Sequence, residues 1–282
     1  MRFLLTNDDG IYAKGLHALY RELSKMAQCV IVAPEAEQSA VGHAITIARP
    51  LMVRKANRNG NFYGFSVSGT PADCVKIGVK ELCGDPVDLV VSGINQGANV
   101  GINVIYSGTV SAATEGAILG VPSLAVSLDS HRRDSDFSFA AKFARLMAVF
   151  MLGRNPLKNV PLNVNVPALP EDRIKGVMVV RQGRARLIEN FDKRIDPREN
   201  IYYWLSGETE ISGAEGIDCD AVALKEGMIT ITPIDFDLTR HDILKPLQES
   251  VRADFPAGSH GVRTGFRGGG NKESEKGKGS ER

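Results

Sequence analysis

The sequence predicts an α/β protein with a doubly wound, largely parallel sheet. Short apolar runs typical of buried strands alternate with residues at helical spacing as far as about residue 180. The first unit is a strand at Phe3–Leu5, then an acidic turn, then a helix whose apolar residues run from Leu16 to Met26. The length of 282 residues, 43% of them apolar, is enough for one large domain or one domain with an appendage.

The turn after the first strand carries two adjacent carboxylates, Asp8 and Asp9. In a parallel sheet this turn lies at the carboxyl edge of its strand, where open α/β folds bind ligands. An Asx turn that caps the helix needs one aspartate, whereas two neighbouring carboxylates repel each other unless a cation or strong donors neutralise them. The pair is therefore interpreted as a metal site.

The loop from Pro34 to His43 follows a second short strand, Cys29–Ala33, and is longer than a simple α/β connection. The length of this loop indicates that the loop has a function beyond connecting two elements. Ser39 offers a hydroxyl for a cation or a phosphate, although a solvated loop serine is the commoner case. His43 is likewise interpreted as a packed or surface histidine.

An antiparallel insertion is predicted next, because β-rich runs at Ile45–Lys55 and Phe62–Val67 flank an Asn-Gly turn signal. A helix capped by Thr70 then reaches about Leu82. Asp73 lies three residues after Thr70, an offset that helix capping explains without any chemistry.

The strand at Asp88–Val91 leads into a loop, Ser92–Gly101, which has three glycines at intervals of four and contains Asn95. Such a loop lets its backbone approach a ligand closely. It matches neither the dinucleotide fingerprint nor a Walker A loop, so dinucleotide and NTP-motor functions lose support.

Ser107, Gly108 and Thr109 open a helix of small residues that runs to Leu119. Free backbone amides at the positive end of a helix form a ready phosphate site, to which hydroxyl groups add donors. Ordinary capping by Ser or Thr explains the same residues equally well. The sequence leaves both interpretations open.

Three more strands and one helix follow before the pattern changes at about residue 180. We predict the strands at Ser123–Leu128, Leu162–Val166 and Gly176–Val180, and the helix at Phe137–Leu152. Beyond them we predict a hairpin within residues 181–205, a strand at Met228–Pro233 and a final helix at Phe236–Val251. Accordingly, we expect a catalytic core at residues 1–180 and an assembly arm at residues 181–256.

The assembly arm contains an aromatic cluster that is too apolar to be left in water: Tyr202, Tyr203 and Trp204. The strand at Met228–Pro233 also needs a partner strand, so burial of both against a second subunit is expected. Stacking of Tyr203 and Trp204 on a nucleobase is the alternative. The tail, residues 257–282, is rich in Gly, Lys, Arg, Glu and Ser and is predicted to be disordered.

The charge balance argues against nucleic acid or an anionic membrane as the main partner, because 34 Lys and Arg nearly balance 33 Asp and Glu. No basic segment with an apolar export core and no apolar run long enough to span a bilayer is evident, so a cytoplasmic location is expected. The four cysteines form no C-x-x-C pair, which indicates buried free thiols and not disulfides or a zinc site.

Five segments in a fixed order carry a resemblance to a known family: Met1–Leu16 (MRFLLTNDDGIYAKGL), Ser39–His43, Val67–Val75 (VSGTPADCV), Val91–Gly101 (VSGINQGANVG) and Tyr106–Glu115 (YSGTVSAATE). They are similar to the successive signatures of the SurE family, stationary-phase survival proteins that act as metal-dependent nucleotidases. The resemblance extends to about residue 250. It implies a Rossmann-like core, a carboxyl-terminal arm exchanged between subunits, and homodimers or homotetramers.

Carried over by position, the resemblance implies one divalent metal ion bound by Asp8, Asp9, Ser39 and Asn95. It implies catalytic roles for Asp8 and Asp9 themselves. It implies phosphate contacts at Asn95, Ser107, Gly108 and Thr109. Ala40 and Val41 depart from the family's pattern, in which this loop is often richer in glycine.

The residues and the resemblance indicate the same chemistry. Two carboxylates, a hydroxyl and an amide supply only oxygen ligands, which suit Mg²⁺ or Mn²⁺ and leave positions open for water and phosphate. A metal that binds phosphate and acidifies its own water assists the hydrolysis of phosphate esters, which is very slow without a catalyst. We therefore predict a metal-dependent phosphomonoesterase that acts on nucleoside 5′-monophosphates, with activity on 3′ esters left open.

Two other hypotheses remain at this stage. Haloacid-dehalogenase phosphatases also carry aspartates after a strand and form an aspartyl phosphate, but their usual order is Asp-x-Asp and here the acids are adjacent. The other hypothesis is a non-catalytic nucleotide-binding module that reports metabolite levels through oligomerisation. Measured turnover separates that module from an enzyme.

Overall fold

The fold is organised by a nine-stranded sheet, in a computed structural model that describes residues 1–153, 159–211 and 215–255. The described strands are β1 (Arg2–Thr6), β2 (Gln28–Pro34), β3 (Val53–Arg58), β4 (Asn61–Val67), β5 (Leu89–Gln96), β6 (Ser123–Asp129), β7 (Leu162–Pro167), β8 (Gly176–Val179), β9 (Arg186–Ile195), β10 (Ile201–Glu210) and β11 (Met228–Pro233). The sheet has the order β3-β4-β2-β1-β5-β6-β7-β11-β8, and β9 pairs with β10 in a separate hairpin.

Helices cover both faces of the sheet, which confirms the predicted doubly wound α/β fold. The described α-helices are α1 (Lys14–Leu23), α2 (Pro71–Ile77), α3 (Gly108–Ile118), α4 (Ser138–Leu152), α5 (Asp220–Lys225) and α6 (His241–Asp254). Side chains along a strand alternate between faces, and β1 follows this rule. Phe3 and Leu5 pack into the core formed with α1 and α4, whereas Leu4 packs into the core formed with α2 and α3.

The strand order reverses at β1, and this reversal positions the candidate site. Parallel β2 pairs with one side of β1 and parallel β5 pairs with the other. The crevice between the carboxyl ends of β1 and β5 is therefore the switch point, where open α/β sheets bind ligands. Asp8 and Asp9 follow β1, and Asn95 lies at the end of β5, so the topology brings these three residues to the same crevice.

The expectation that Met228–Pro233 pairs with a second subunit is wrong. This strand, β11, lies within the main sheet of its own chain, antiparallel to β7 and parallel to β8. Ile229 is buried in the main core. The sheet therefore extends past residue 180 by means of a strand that returns from much later in the chain, which local sequence patterns do not reveal.

The predicted strand at Ile45–Lys55 is wrong for most of its length, because β3 covers only its last part. The earlier part is attached to α2 by side chains. The Thr46 amide donates to both carboxylate oxygens of Asp73 (3.0 and 3.1 Å), and the Thr70 hydroxyl donates to the Ala44 carbonyl (2.7 Å). Backbone groups that bond to side chains do not form a sheet ladder. Asp73 also completes the predicted capping box with Thr70.

The remaining carboxyl-terminal elements differ from the predictions mainly in their bounds. The hairpin of β9 and β10 runs further along the chain than residues 181–205, and the short helix α5 was not predicted. Helix α6 belongs to a second unit, which begins at Asp237. The predicted tail, residues 257–282, lies outside the described residues. In the described part of the chain no helix is both long and apolar enough to cross a membrane.

Candidate active site

A cavity of about 1140 Å³ opens at the carboxyl edge of the sheet, beside the switch point. The β9–β10 hairpin supplies part of its wall. The predicted site residues that line the cavity are Asp8, Asp9, Ser39, Asn95 and Ser107. Gly108 and Thr109 lie behind this lining and contact Asp8.

Asp8 is held in place by the start of α3. The Thr109 hydroxyl donates a short hydrogen bond to Asp8 Oδ1, and a Cβ added at Gly108 would lie 2.8 Å from Asp8 Cβ. Only glycine therefore allows α3 to approach the acidic turn so closely. The Gln38 amide donates to the Asp8 carbonyl (2.7 Å), which ties this turn to the loop that carries Ser39.

The two adjacent carboxylates are destabilised in their ionised forms. Burial raises the pKa of Asp8, although the hydrogen bond from Thr109 opposes the shift. Burial also raises the pKa of Asp9 to about 7, and the negative charges of Asp8 and Glu37 add to this shift. Among the described residues, no Lys, Arg or His forms an ion pair with these three carboxylates. A divalent cation would stabilise the ionised forms and reverse both shifts.

Ser39 and Asn95 are oriented by neighbouring groups that accept hydrogen bonds from their side chains. Ser39 Oγ donates to Glu37 Oε1 (2.6 Å), so its lone pairs remain available to a cation. Asn95 Nδ2 donates to the Gly97 carbonyl (2.8 Å), so the amide oxygen is the atom that can act as a ligand. Both side chains therefore offer oxygen to the cavity.

The donor set fits a hard divalent cation. Within the ranges that the structure describes, no three His, Cys, Asp or Glu side chains are grouped to hold a metal ion, so a site of the usual zinc type is not formed there. The cavity instead presents two carboxylates together with a hydroxyl and an amide oxygen. Mg²⁺ and Mn²⁺ bind such oxygen ligands and keep several waters.

The loop that carries Ser39 is anchored to two helices through the buried carboxylate of Glu115 on α3. His43 lies 2.9 Å from Glu115 Oε2, and Lys76 Nζ donates to Glu115 Oε1 (2.6 Å). Burial raises the pKa of Glu115, but the hydrogen bonds from His43 and Lys76 outweigh it and hold the pKa below its usual range. The loop is further fixed by the Gly42 amide, which donates to the Tyr106 carbonyl (3.0 Å).

The amino-terminal end of α3 combines the two interpretations that the sequence left open. Ser107 caps the helix, since its Oγ accepts a hydrogen bond from the Val110 amide (3.1 Å). Ser107 also lines the cavity next to the two aspartates. The first amides of a helix have no intrahelical partner and carry partial positive charge. This helix end can therefore bind a phosphate group beside the candidate metal site.

The cavity is also lined by residues that sequence reasoning did not assign to the site. The lining residues of this kind are Glu37, Ala40, Gln96, Asn99, Ile102, Asn103, Tyr106, His131, Arg186, Leu187, Ile188, Glu189 and Leu205. Residues from the hairpin reach the cavity only through tertiary folding, so no local sequence pattern predicts that they line it. Tyr203 and Trp204 do not line the cavity, and their side chains are 57% and 60% exposed.

A network of buried amides fixes the loop that follows Asn95. The Asn99 amide donates to Asn165 Oδ1 (2.8 Å), and its side-chain nitrogen donates to Ser127 Oγ (2.8 Å). Asn163 and Asn165 both donate to the Asn99 carbonyl (2.8 and 3.0 Å). These buried hydrogen bonds favour a single arrangement of the loop. The wall of the cavity between β5 and α3 is therefore rigidly supported.

Comparison with known proteins matches residues 3–189 to the family model described as Survival protein SurE. The chain belongs to the SurE family. A protein of Syntrophus aciditrophicus named 5′-nucleotidase SurE is 68% identical over 248 residues, which are 88% of this chain and 93% of that protein. One of the same name from Syntrophobacter fumaroxidans is 52% identical over 88% of this chain and 98% of its own length.

The crystal structure of the SurE protein from Aquifex aeolicus has the same fold. It is similar to this chain with a TM-score of 0.75 and 38% sequence identity, and the match covers 89% of this chain and 99% of that structure. The SurE resemblance that the sequence motifs indicated is thereby confirmed. The family match includes every residue of the predicted metal and phosphate site.

The anchor at Glu115 gives a testable prediction about the SurE-family loop that carries Ser39. Glu115→Gln removes the charge that His43 and Lys76 share, so the free energy of unfolding should fall by about 1–2 kcal/mol at pH 7. Because the folded-state pKa is lowered, this contribution is complete above the unfolded-state pKa and is lost as the pH falls through the folded value. The difference between the variant and the parent should therefore disappear in acid.

Urea unfolding at pH 7 and at acidic pH measures this difference. Glu81→Gln is the matched control, because Glu81 is exposed, and it should leave the stability unchanged at both pH values. A Glu115→Gln variant as stable as the parent at pH 7 would show that the anchor does not stabilise the fold.

Proposed function

We propose that the protein is a divalent-metal-dependent 5′-nucleotidase that hydrolyses nucleoside monophosphates to nucleosides and phosphate. The observation that carries the proposal is the convergence of Asp8, Asp9, Ser39 and Asn95 on one cavity beside the start of α3. The name 5′-nucleotidase, which the two bacterial relatives carry, supports the same activity. Hydrolysis of 3′ esters at the same site is a further expectation.

One Mg²⁺ or Mn²⁺ ion would be held by the carboxylates of Asp8 and Asp9, the hydroxyl of Ser39 and the amide oxygen of Asn95. The raised pKa values of the two aspartates support this assignment, because buried like charges need a cation in order to ionise together. When bound, such an ion polarises the phosphate and lowers the pKa of coordinated water.

The residues around the phosphate would orient it and accept a proton. The amino-terminal end of α3 at Ser107 would hold the phosphate oxygens and stabilise the charge that develops on them. Asp9 would accept the proton of the attacking water, since its carboxylate lines the cavity and is less tightly held than that of Asp8. In this step a water–phosphorus bond forms while the bond from phosphorus to the ribose oxygen breaks.

The nucleoside would occupy the part of the cavity next to the hairpin. About 1140 Å³ is more than a phosphate needs and is large enough for a complete nucleotide. The wall here is apolar at Tyr106, Ile188 and Leu205 and carries one positive side chain, Arg186. A ribose and a base can pack on such a surface with little base-specific hydrogen bonding.

Substitution of Asp9 tests the proposed function. Asp9→Asn removes a metal ligand and the proton acceptor, so phosphate release from AMP should fall by about 10²-fold to 10⁴-fold or more. The variant should remain folded, because the change relieves like-charge repulsion. Manganese binding, followed by titration calorimetry, should weaken in parallel.

Asp172→Asn is the matched control, since Asp172 is an exposed carboxylate outside the cavity, and it should keep both activity and metal affinity. Full activity of Asp9→Asn, or of the parent protein in excess chelator, would contradict the metal-dependent mechanism. A trapped aspartyl phosphate at Asp8 or Asp9 would instead favour a covalent mechanism of the haloacid-dehalogenase type. Absence of turnover in the parent would favour the nucleotide-binding sensor.

We further propose that the hairpin is an assembly arm and that the protein forms homodimers or homotetramers. The hairpin consists of two strands only, which makes it marginally stable by itself. Its large apolar side chains are exposed, including Phe191 (64%), Tyr203 (57%) and Trp204 (60%). Burial of this surface against another copy would remove it from water.

Replacement of Tyr203 and Trp204 by Ser tests the assembly. Buried interface aromatics contribute about 2 kcal/mol or more, so the subunit dissociation constant should rise by roughly 30-fold or more. Analytical ultracentrifugation at micromolar concentration measures the shift. Phe62→Ser is the control, because Phe62 is similarly exposed (56%) on a different hairpin, β3–β4, and it should not change the assembly. A monomeric parent protein would contradict the proposal.

The cysteines support a cytoplasmic location for this enzyme. All four, Cys29, Cys74, Cys83 and Cys219, lie in the described part of the chain, and none forms a disulfide. Unpaired, largely buried thiols are typical of proteins kept in a reducing compartment.

A further inference from the structure

Hydrolysis of a nucleotide needs a proton donor as well as a proton acceptor. The leaving oxygen of the ribose is an alkoxide, which is a poor leaving group unless it is protonated as its bond to phosphorus breaks. In the proposed mechanism Asp8 and Asp9 serve as metal ligands, and Asp9 also accepts the proton of the attacking water. The donor must therefore be another side chain that faces the same cavity.

His131 lines this cavity together with Asp8 and Asp9. It belongs to the segment between β6 and α4, which is the next connection along the carboxyl edge of the sheet after the one that carries Asn95. Of the cavity-lining residues in the described ranges, His131 is the one imidazole. Histidine is the residue type whose ordinary pKa is closest to neutral pH, as a general acid requires.

The structure brings His131 close to the metal-site residues through one short strip of backbone, Asn95–Gly97. The backbone N–H of Gln96 lies close enough to the Asp9 carboxylate to lower the pKa of that group, and the Gln96 side chain donates to the Arg132 carbonyl (2.9 Å). Gln96 therefore bridges the acidic turn and the segment that carries His131. The Asp9 carboxylate and the imidazole are therefore both neighbours of this strip, at Gln96 and Gly97.

Gly97 allows the imidazole to lie against the strip. Its φ of +114° is a conformation that favours glycine, and a Cβ added there would lie 2.5 Å from Cε1 of His131. The Gly97 amide also donates to the Leu128 carbonyl (2.9 Å), which fixes the strip to β6. The backbone conformation at Gly97 and its hydrogen bond to β6 therefore both favour the contact between Gly97 and His131.

We propose that His131 is the general acid that protonates the ribose oxygen as the nucleoside leaves. The inference rests on the proposed nucleotidase function and names a second residue for the same reaction. The water oxygen forms a bond to phosphorus, and its proton passes to Asp9. The bond from phosphorus to the ribose oxygen breaks, and that oxygen takes the proton of the His131 imidazolium. Proton exchange with solvent then restores both groups.

Substrates with different leaving groups test this role in the metal-loaded enzyme. His131→Asn should lower kcat for AMP by about 10²-fold to 10⁴-fold, the usual contribution of a general acid. It should lower kcat for p-nitrophenyl phosphate by less than about tenfold, because nitrophenolate leaves as a stable anion without a proton. The ratio of the loss in kcat for AMP to the loss in kcat for p-nitrophenyl phosphate is therefore the quantity that identifies a general acid. His131→Gln should give the same ratio.

His17→Asn is the matched control, because His17 lies on α1 against the ring of Tyr63 and does not line the cavity. It should leave kcat for both substrates within about twofold of the parent. Thermal unfolding of all variants shows that they are folded. An equal loss on both substrates, or no loss on AMP, would overturn the role of His131. A parent enzyme that hydrolyses neither substrate with Mg²⁺ or Mn²⁺ would instead overturn the proposed function.

Discussion

The repulsion between two buried neighbouring carboxylates, Asp8 and Asp9, is the constraint on which the rest of the site depends. The chain places both at the end of the central strand β1, where burial raises the pKa of each and the charge of Asp8 raises that of Asp9 further. A fold keeps such a pair only if something compensates for the repulsion. Thr109 compensates partly by donating to Asp8, and Gly108 allows α3 to come close enough for this contact. The proposed divalent cation would complete the compensation.

The other parts of the site can be understood from this constraint. Ser39 and Asn95 donate their hydrogens to Glu37 and Gly97, which leaves their oxygen atoms available in the cavity that the acidic pair also lines. The two segments that carry Ser39 and Asn95 are held in place by contacts outside the cavity. The buried Glu115 carboxylate anchors the first segment and the amide network around Asn99 anchors the second. Such support would hold the proposed ligands in place before a cation arrives, which favours tight and specific binding.

The sequence predicted the parts of the molecule that depend on local patterns. Strand β1, its acidic turn and the capping box at Thr70 follow from spacing alone, and these were found as expected. The position of β11 within the sheet and the wall formed by the hairpin depend on contacts between residues far apart in the chain. Such contacts leave no signal in a single sequence. Glu115 was missed for the same reason, because its partners lie 39 and 72 residues away.

The claim that carries most of this account is that one divalent cation binds between the ends of β1 and β5. The most direct measurement is an anomalous difference map from crystals of the full chain soaked in Mn²⁺. The account predicts one strong peak per subunit, roughly 2.0–2.4 Å from oxygen atoms of Asp8, Asp9, Ser39 and Asn95. A map without a peak at this crevice, or with the strongest peak at another group of residues, would contradict it.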